Sequence, residues 1–517
     1  MTIETPEWVR DAVFYQIFPD RFARSERVQK PGPMEAWDAP PTAHGFKGGD
    51  LIGVVEHLDH IAGLGANAIY FNPVFQSASN HRYHTYDYFK VDPLLGGDDA
   101  LRAVIDACHA RGMRVILDGV FNHASRGFWP FNHVLEVGRD SPYREWFFFD
   151  EADLDAGRPI RAYPLDPDPL DLSAVTEDQM AGQGSLRALG YQAWWDLPAL
   201  PKINTANPHA REHLLQAAEH WIRFGADGWR LDVPEEVPAE FWREFRSRVK
   251  RVNPDAYIVA EIWHEAPDAF RGDMYDAQMN YMLGAAITSF VGAGRLDRRV
   301  IDQHFTLAAA VRDEDAEAFV ARLERALTIY DPGITAVQMN LLDSHDTPRF
   351  LSMVGGDRSS LRLATLILMT VPGAPSLYYG DEIGMTGELD PLNRGAIPWD
   401  LQSTWDRDLY DYIAGAAALR HAHPVLRRGD LRVVGAHGRL VAYQRVLGRQ
   451  AAVIAVNAGD EAQRIALVLP ELAGRSLLTQ RWAESSTSAI PDALTVSGDG
   501  ELVLDVAGRD GVLLVAS

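Results

Sequence analysis

The sequence predicts an α/β protein: a (β/α)8 TIM barrel with an inserted domain after strand 3 and a C-terminal antiparallel β-sandwich. Three observations predict it. Short apolar runs alternate with segments of helical period to about residue 420. One long interval interrupts that alternation. Beyond residue 424 the pattern changes to brief β-type runs with Gly and Asp between them.

The strand candidates are residues 13–17, 68–72, 114–118, 228–232, 257–262, 278–281, 337–342 and 376–379. Each has the length of a strand buried on both faces. Helical patterns lie between most of them, as at 98–111, 209–224, 236–252 and 357–370. Alternating units in this number describe a closed barrel with insertions. Between residue 122 and about residue 204 no βα unit is evident. That stretch is rich in Pro, Asp, Trp and Phe, as in Trp146-Phe147-Phe148-Phe149-Asp150 and Asp166-Pro167-Asp168-Pro169. A connection so long is functional or a small domain, and after the third strand it would hang over the barrel mouth. The β-type runs at 431–434, 440–446, 451–456, 465–468 and 502–506 read as a small sandwich. The expected division is a catalytic barrel over 1–122 and 205–424, an inserted domain over 123–204 and a sandwich over 425–517.

Apolar content of 47% and charged content of 23% are those of a soluble globular protein. The formal net charge of −23 disfavours nucleic acid and anionic membrane surfaces as partners and suits a neutral substrate. Cys108 is the only cysteine, so no internal disulfide forms and a buried thiol is expected. Met1-Thr2-Ile3-Glu4-Thr5-Pro6 lacks the basic and apolar regions of a signal peptide. No apolar run reaches the length of a membrane span. The cytoplasm is the expected location.

The chemistry lies in three carboxylates at the ends of apolar runs: Asp232 in Gly228-Trp229-Arg230-Leu231-Asp232, Glu261 in Tyr257-Ile258-Val259-Ala260-Glu261, and Asp346 in Asp343-Ser344-His345-Asp346. A single Asp at a strand end is more often a turn or cap residue. Three on separate βα units converge at one mouth of a barrel, where the chemistry of that fold resides. Retaining glycoside hydrolysis needs one carboxylate as nucleophile and one as acid, then base. A third would oppose positive charge at the anomeric carbon. Arg230, two residues before Asp232, shares its strand face and would keep it ionised.

With these segments in order, the chain resembles the α-amylase family of glycoside hydrolases. Asp118-Gly119-Val120-Phe121-Asn122-His123 resembles its first conserved segment, and the runs ending in Asp232, Glu261 and Asp346 its second, third and fourth. The resemblance implies that Asp232 is the nucleophile, Glu261 the acid/base and Asp346 the third carboxylate. It also implies substrate contacts from Tyr83, His123, Arg230, His345, Asp390 and Arg394. Leu200-Pro201-Lys202-Ile203-Asn204 and Glu261-Ile262-Trp263-His264 resemble segments of the neopullulanase, cyclomaltodextrinase and maltogenic amylase subgroup. Val233-Pro234-Glu235-Glu236-Val237 resembles that subgroup's V-A-N-E-V with Pro and Glu as departures, and it lacks the Lys-His pair of typical endo-acting relatives.

The implied activity is retaining hydrolysis of α-1,4-glucosidic bonds in cyclodextrins and maltodextrins, with pullulan as a further candidate and some transglycosylation. The alternatives are a transglycosylase or isomerase, such as a trehalose- or isomaltulose-forming relative, an α-glucosidase, or a non-catalytic barrel. The partner is an α-glucan oligosaccharide. The first barrel run begins so early that the subgroup's extra N-terminal sandwich is not expected, which points to a monomer or weak homodimer. In its place, residues 129–195 are expected to enclose the site. No cofactor and no catalytic metal are required, and a structural Ca2+ is the one ion left open. Relatives hold it at Asn122 or in a loop after the first strand. Here that loop reads Ala23-Arg24-Ser25-Glu26-Arg27-Val28-Gln29-Lys30, with cations where a hard ion needs oxygens, while Gly49 and Asp50 remain.

Overall fold

A computed structural model describes residues 3–163, 183–483 and 490–516. Asp166-Pro167-Asp168-Pro169 of the insertion lies outside the described residues. Among those described, eight parallel strands form one sheet: β1 Phe14–Ile17, β2 Ala68–Phe71, β3 Arg114–Gly119, β4 Gly228–Leu231, β5 Tyr257–Ala260, β6 Ala277–Gln278, β7 Met339–Leu341 and β8 Ala374–Tyr378. Neighbours run β6-β5-β4-β3-β2-β1-β8-β7. A parallel bridge between Met279 and Met339 joins the two ends and closes the barrel.

The pleat sorts side chains by parity. Phe14, Ala68, Tyr70, Ile116, Tyr257, Val259, Ala277, Met279, Met339, Leu341 and Ala374 fill the barrel interior as one apolar cluster. Their alternates, such as Tyr15, Ile69, Val115, Leu231 and Ile258, pack outward under the helices. Stepping two residues on from the interior set reaches Gln16, Asn72, Asp118 and Glu261, all buried. The same parity on β4 takes Gly228 to Arg230 and Asp232. The polar mouth is therefore the next layer of the barrel's own core.

The helices form where capping allows. Asn207 accepts backbone N–H groups of His209 and Ala210 to start Pro208–Phe224, and Gly225 ends it at φ 117°. Asp357 caps Arg358–Thr370 from both Ser359 and Ser360. The helix expected from residue 236 starts instead at Ala239, because Pro234 and Pro238 leave a 3-10 turn at Pro234–Glu236 and then a break. Strand 6 is shorter than expected: Asn280 caps a helix at Tyr281–Val291, which withdraws Tyr281 from the sheet.

The insertion after β3 is built on aromatic packing. Phe131 stacks on Phe149 at 5.6 Å, and Tyr191 meets Phe131 edge-on at 4.9 Å. Antiparallel bridges Phe149–Tyr191, Phe147–Ile203 and His123–Lys202 tie it back to the barrel rim. In the C-terminal region, Asp430–His437, Leu440–Leu447, Gln450–Asn457, Asp510–Ala516, Ser476–Thr479 and Ala493–Thr495 form a sheet in that order. It faces the pair Gln463–Val468 and Glu501–Val506 across a core that includes Val453, Leu467, Leu504 and Leu514. The β-sandwich is thus present, with a central strand at Asp510–Ala516 that the sequence patterns do not mark.

Strand contact is tightest at Gly228, where an added Cβ would stand 2.2 Å from the Tyr257 carbonyl of β5. Gly228→Ala is expected to cost about 1–3 kcal/mol in denaturant unfolding. It should also lower turnover, since it wedges apart the strands that carry Arg230 and Glu261.

Candidate active site

Arg230 is the fully buried centre of the mouth. Its Nη1 donates to Asp118 at 2.8 and 3.0 Å and to Asp232 Oδ1 at 3.0 Å. Its Nη2 lies 3.0 Å from Glu261 Oε2 and 4.0 Å from Asp346 Oδ2. Asp232, Glu261 and Asp346 thus come together around one guanidinium, from the ends of β4, β5 and the loop after β7. A planar fork of donors is the group that can hold several carboxylates at once in fixed directions.

Glu261 is gripped by its neighbours. Oε2 accepts the Val233 N–H at 3.1 Å and Oε1 accepts the Trp263 indole N–H at 3.1 Å. Val233 aims that N–H from φ 33°, a left-handed conformation rare for a β-branched side chain. Pro234 follows it, and its carbonyl is held by Trp242 Nε1 at 2.8 Å. Backbone strain at this point is the kind that clusters at functional sites.

Tyr83 and His345 form the opposite wall. Tyr83 Oη donates to Asp118 at 2.8 Å and lies 2.6 Å from His345 Nε2, with the two rings parallel within 4°. Gln16 Nε2 donates to His345 Nδ1 at 3.0 Å, which leaves the ring proton on Nε2, 3.2 Å from Asp346 Oδ1. Arg394 Nη2 lies 3.5 Å from Asp346, its Nη1 3.2 Å from Asp390, and its Nε donates to the His345 carbonyl at 2.9 Å. Asp390 is the outermost of the group, with its side chain 45% exposed. His123 stacks on Trp194 of the insertion at 4.9 Å. Its buried Nε2 has no hydrogen-bond partner among the described residues, which leaves a polar atom for a ligand.

Four carboxylates surround Arg230, counting Asp118, against two guanidiniums, Arg230 and Arg394. Burial pushes Asp232 well above the usual carboxylate range; Arg230 opposes the shift and the charge of Glu261 adds to it. Burial and the charge of Glu261 push Asp346 up to about 7. Asp118 is also raised by burial, against Arg230 and the two tyrosines that bond it. The cluster therefore retains a proton near neutral pH, and that proton belongs to the set. Burial, with Arg394 and Arg230 nearby, keeps His345 neutral, and burial holds His123 down to about 3.

Sequence reasoning missed Asp118 as a site residue, together with Tyr70, Gln16 and Asn72. Tyr70 Oη donates to Asp118 at 2.8 Å, and Asn72 Nδ2 donates to Tyr83 at 3.1 Å. The available signal was a polar residue closing an apolar run, as in Phe71-Asn72 and Leu117-Asp118. For a metal, Asn122 offers one buried oxygen without a partner. Among the described residues no group of three or more His, Cys, Asp or Glu gathers to hold an ion.

Residues 16–412 match the family described as Alpha amylase, catalytic domain. A cyclomaltodextrinase of Bacillus sp is 42% identical over 458 residues, 88% of this chain and 74% of that protein. Neopullulanase 2 of Thermoactinomyces vulgaris is 38% identical over 478 residues, 92% of this chain and 74% of that protein. The crystal structure of Ttha1563 from Thermus thermophilus superposes with a TM-score of 0.86 at 43% identity, covering 99% of this chain and 100% of that one.

Arg230→Lys keeps a positive charge but replaces the fork by a point. The expected outcome is a fall of about 100-fold or more in kcat/KM through misplaced carboxylates, with a native far-ultraviolet circular dichroism spectrum.

Proposed function

The chain belongs to the α-amylase family, and we propose that it is a retaining hydrolase of α-1,4-glucosidic bonds in cyclodextrins, maltodextrins and pullulan. The observation that carries this reading is the single guanidinium that holds Asp232 and Glu261 each at 3.0 Å, with Asp346 beside them. That spacing puts two carboxyl groups within reach of one glycosidic bond, as a covalent intermediate requires.

Asp232 attacks the anomeric carbon while Glu261 gives its proton to the departing glycosidic oxygen. Glu261 then takes a proton from water, which displaces Asp232 from the glycosyl ester. Asp346 lies next to Arg394 and His345, where it opposes charge growing on the sugar ring and takes hydroxyl protons as hydrogen bonds. Arg394 and Arg230 favour the ionised form of Asp346, against burial and the charge of Glu261. Tyr83 supplies a ring face, His123 and His345 supply polar edges, and Asp390 with Arg394 closes the same end.

Two carboxylates and water complete the reaction, so no cofactor takes part. Chain self-repulsion at a net charge of −23 fits the monomer or weak homodimer proposed here. The free, buried Cys108 fits a reducing cytoplasm. No helix among the described residues is long and apolar enough to cross a membrane. Trp194, packed on His123, supports the reading that the insertion encloses the mouth.

Product profiles on β-cyclodextrin, pullulan, soluble starch and maltotriose test the substrate class, with cyclodextrin expected to outpace starch. Asp232→Asn and Glu261→Gln are each expected to abolish turnover while thermal unfolding stays close to wild type; residual activity at wild-type scale would refute the roles. The pH profile has a definite sign. Burial and the charge of Glu261 hold Asp346 up to about 7, and the role proposed for it needs its ionised form. So kcat/KM should rise as pH rises through that range. Asp346→Asn removes that titration, and the rising limb should be absent from its remaining activity.

A further inference from the structure

A structural calcium in the loop after β1 is what the family resemblance implies, and the residues present there do not fit it. Calcium takes about six to eight oxygens and no nitrogen. Asp50, fully buried, is already spent on the chain. Its Oδ1 accepts the Gly53 N–H at 2.7 Å, and its Oδ2 accepts the Ser25 N–H at 3.0 Å and the Lys30 ammonium at 3.0 Å. Lys30 Nζ donates again to the Leu94 carbonyl at 2.7 Å. A carboxylate oxygen and a carbonyl oxygen thus converge on a cation that the chain itself provides, on a side chain only 10% exposed.

The surrounding layer follows the same design. Asp20, fully buried, pairs with Arg21 at 2.9 Å, and Asp92, 3% exposed, pairs with Arg82 at 3.1 Å. Each of these three buried acids has a cation from the chain against it, and none has an oxygen directed at open space for an ion to collect.

We infer that the Lys30 ammonium takes the place of a divalent cation, tying residues 23–30 to the start of the helix Leu51–Glu56 and to Leu94, and that this protein's thermal stability is consequently independent of calcium. A bound ion stabilises only as the logarithm of its concentration over its dissociation constant. A tethered ammonium is always present and cannot be stripped by a chelator. Removing it would leave Asp50 as a buried charge with two backbone donors and no counter-ion, which is strongly destabilising.

Thermal unfolding in buffer alone, in excess EDTA and in excess CaCl2 tests this on the wild type and on Lys30→Met. The wild-type Tm is expected to be the same in all three, and the Lys30→Met Tm to be lower by several degrees in EDTA. A wild-type Tm that falls in EDTA and returns with calcium overturns the inference, as does a Lys30→Met Tm equal to wild type. Should Lys30→Met not fold, Lys30→Arg decides: a folded variant with a chelator-insensitive Tm supports the role of the charge, and failure to fold overturns it. Tm, unlike turnover, reads this result independently of the proposed reaction.

Discussion

The buried guanidinium of Arg230 is the constraint on which the rest of the mouth depends. A charge with no solvent exposure is expensive unless every direction it faces is paired. Here the pairing comes from Asp118, Asp232, Glu261 and Asp346, placed on three barrel strands and one loop. Each of those acids is itself costly to bury, so guanidinium and carboxylates stabilise one another or not at all. Burial and the charge of Glu261 push Asp346 up to about 7 even so. Asp118 differs from the other three in being fully enclosed and bonded to Tyr70, Tyr83 and Arg230. It anchors the guanidinium from behind, while Asp232, Glu261 and Asp346 hold its other sides.

Strain and support meet at the turn that follows Asp232. A left-handed Val233 costs on the order of 1–3 kcal/mol, and Pro234 makes relaxation harder. The turn persists because it is determined from two sides. The Val233 N–H is bonded to Glu261, and the Pro234 carbonyl is bonded to Trp242 on the helix Ala239–Val252. The loop after Asp232 thereby fixes the rotamer of Glu261, and the barrel's outer helix fixes the loop. This is the preorganisation that electrostatic catalysis needs before substrate arrives.

Much of this is legible in the sequence, for a physical reason. The barrel strands are buried on both faces, so they appear as uninterrupted apolar runs, and an acid at the end of such a run stands out. Asp232 and Glu261 are visible on those grounds. Gln16, Asn72 and Asp118 sit equally at run ends, yet their roles depend on which face they point to, and face is set by register across strands distant in sequence. Trp194 is invisible for a related reason: its stacking on His123 joins the insertion to the barrel across a long interval with no periodicity. Strand 6 reads too long in the sequence because Asn280 can cap a helix as well as continue a strand. The run at 512–516 does not reveal that it is a central strand, because that place is set by pairing with Gln450–Asn457 and Ser476–Thr479, distant in sequence.

The departures beside Asp232 follow from the same accounting of partners. Two acids, Glu235 and Glu236, stand where a basic pair serves typical endo-acting relatives. Neither is a free anion. Glu236 meets Lys202 of the insertion at 2.9 Å, and Glu235 meets His264, just beyond Glu261, at 2.9 Å. The first contact clamps the insertion to the turn that carries Val233, so the insertion and Glu261 share a support. The second bridges the ends of β4 and β5 at the surface, where both side chains are half exposed or more. The surface just beyond Glu261 therefore carries paired, solvated groups in place of a fixed positive charge.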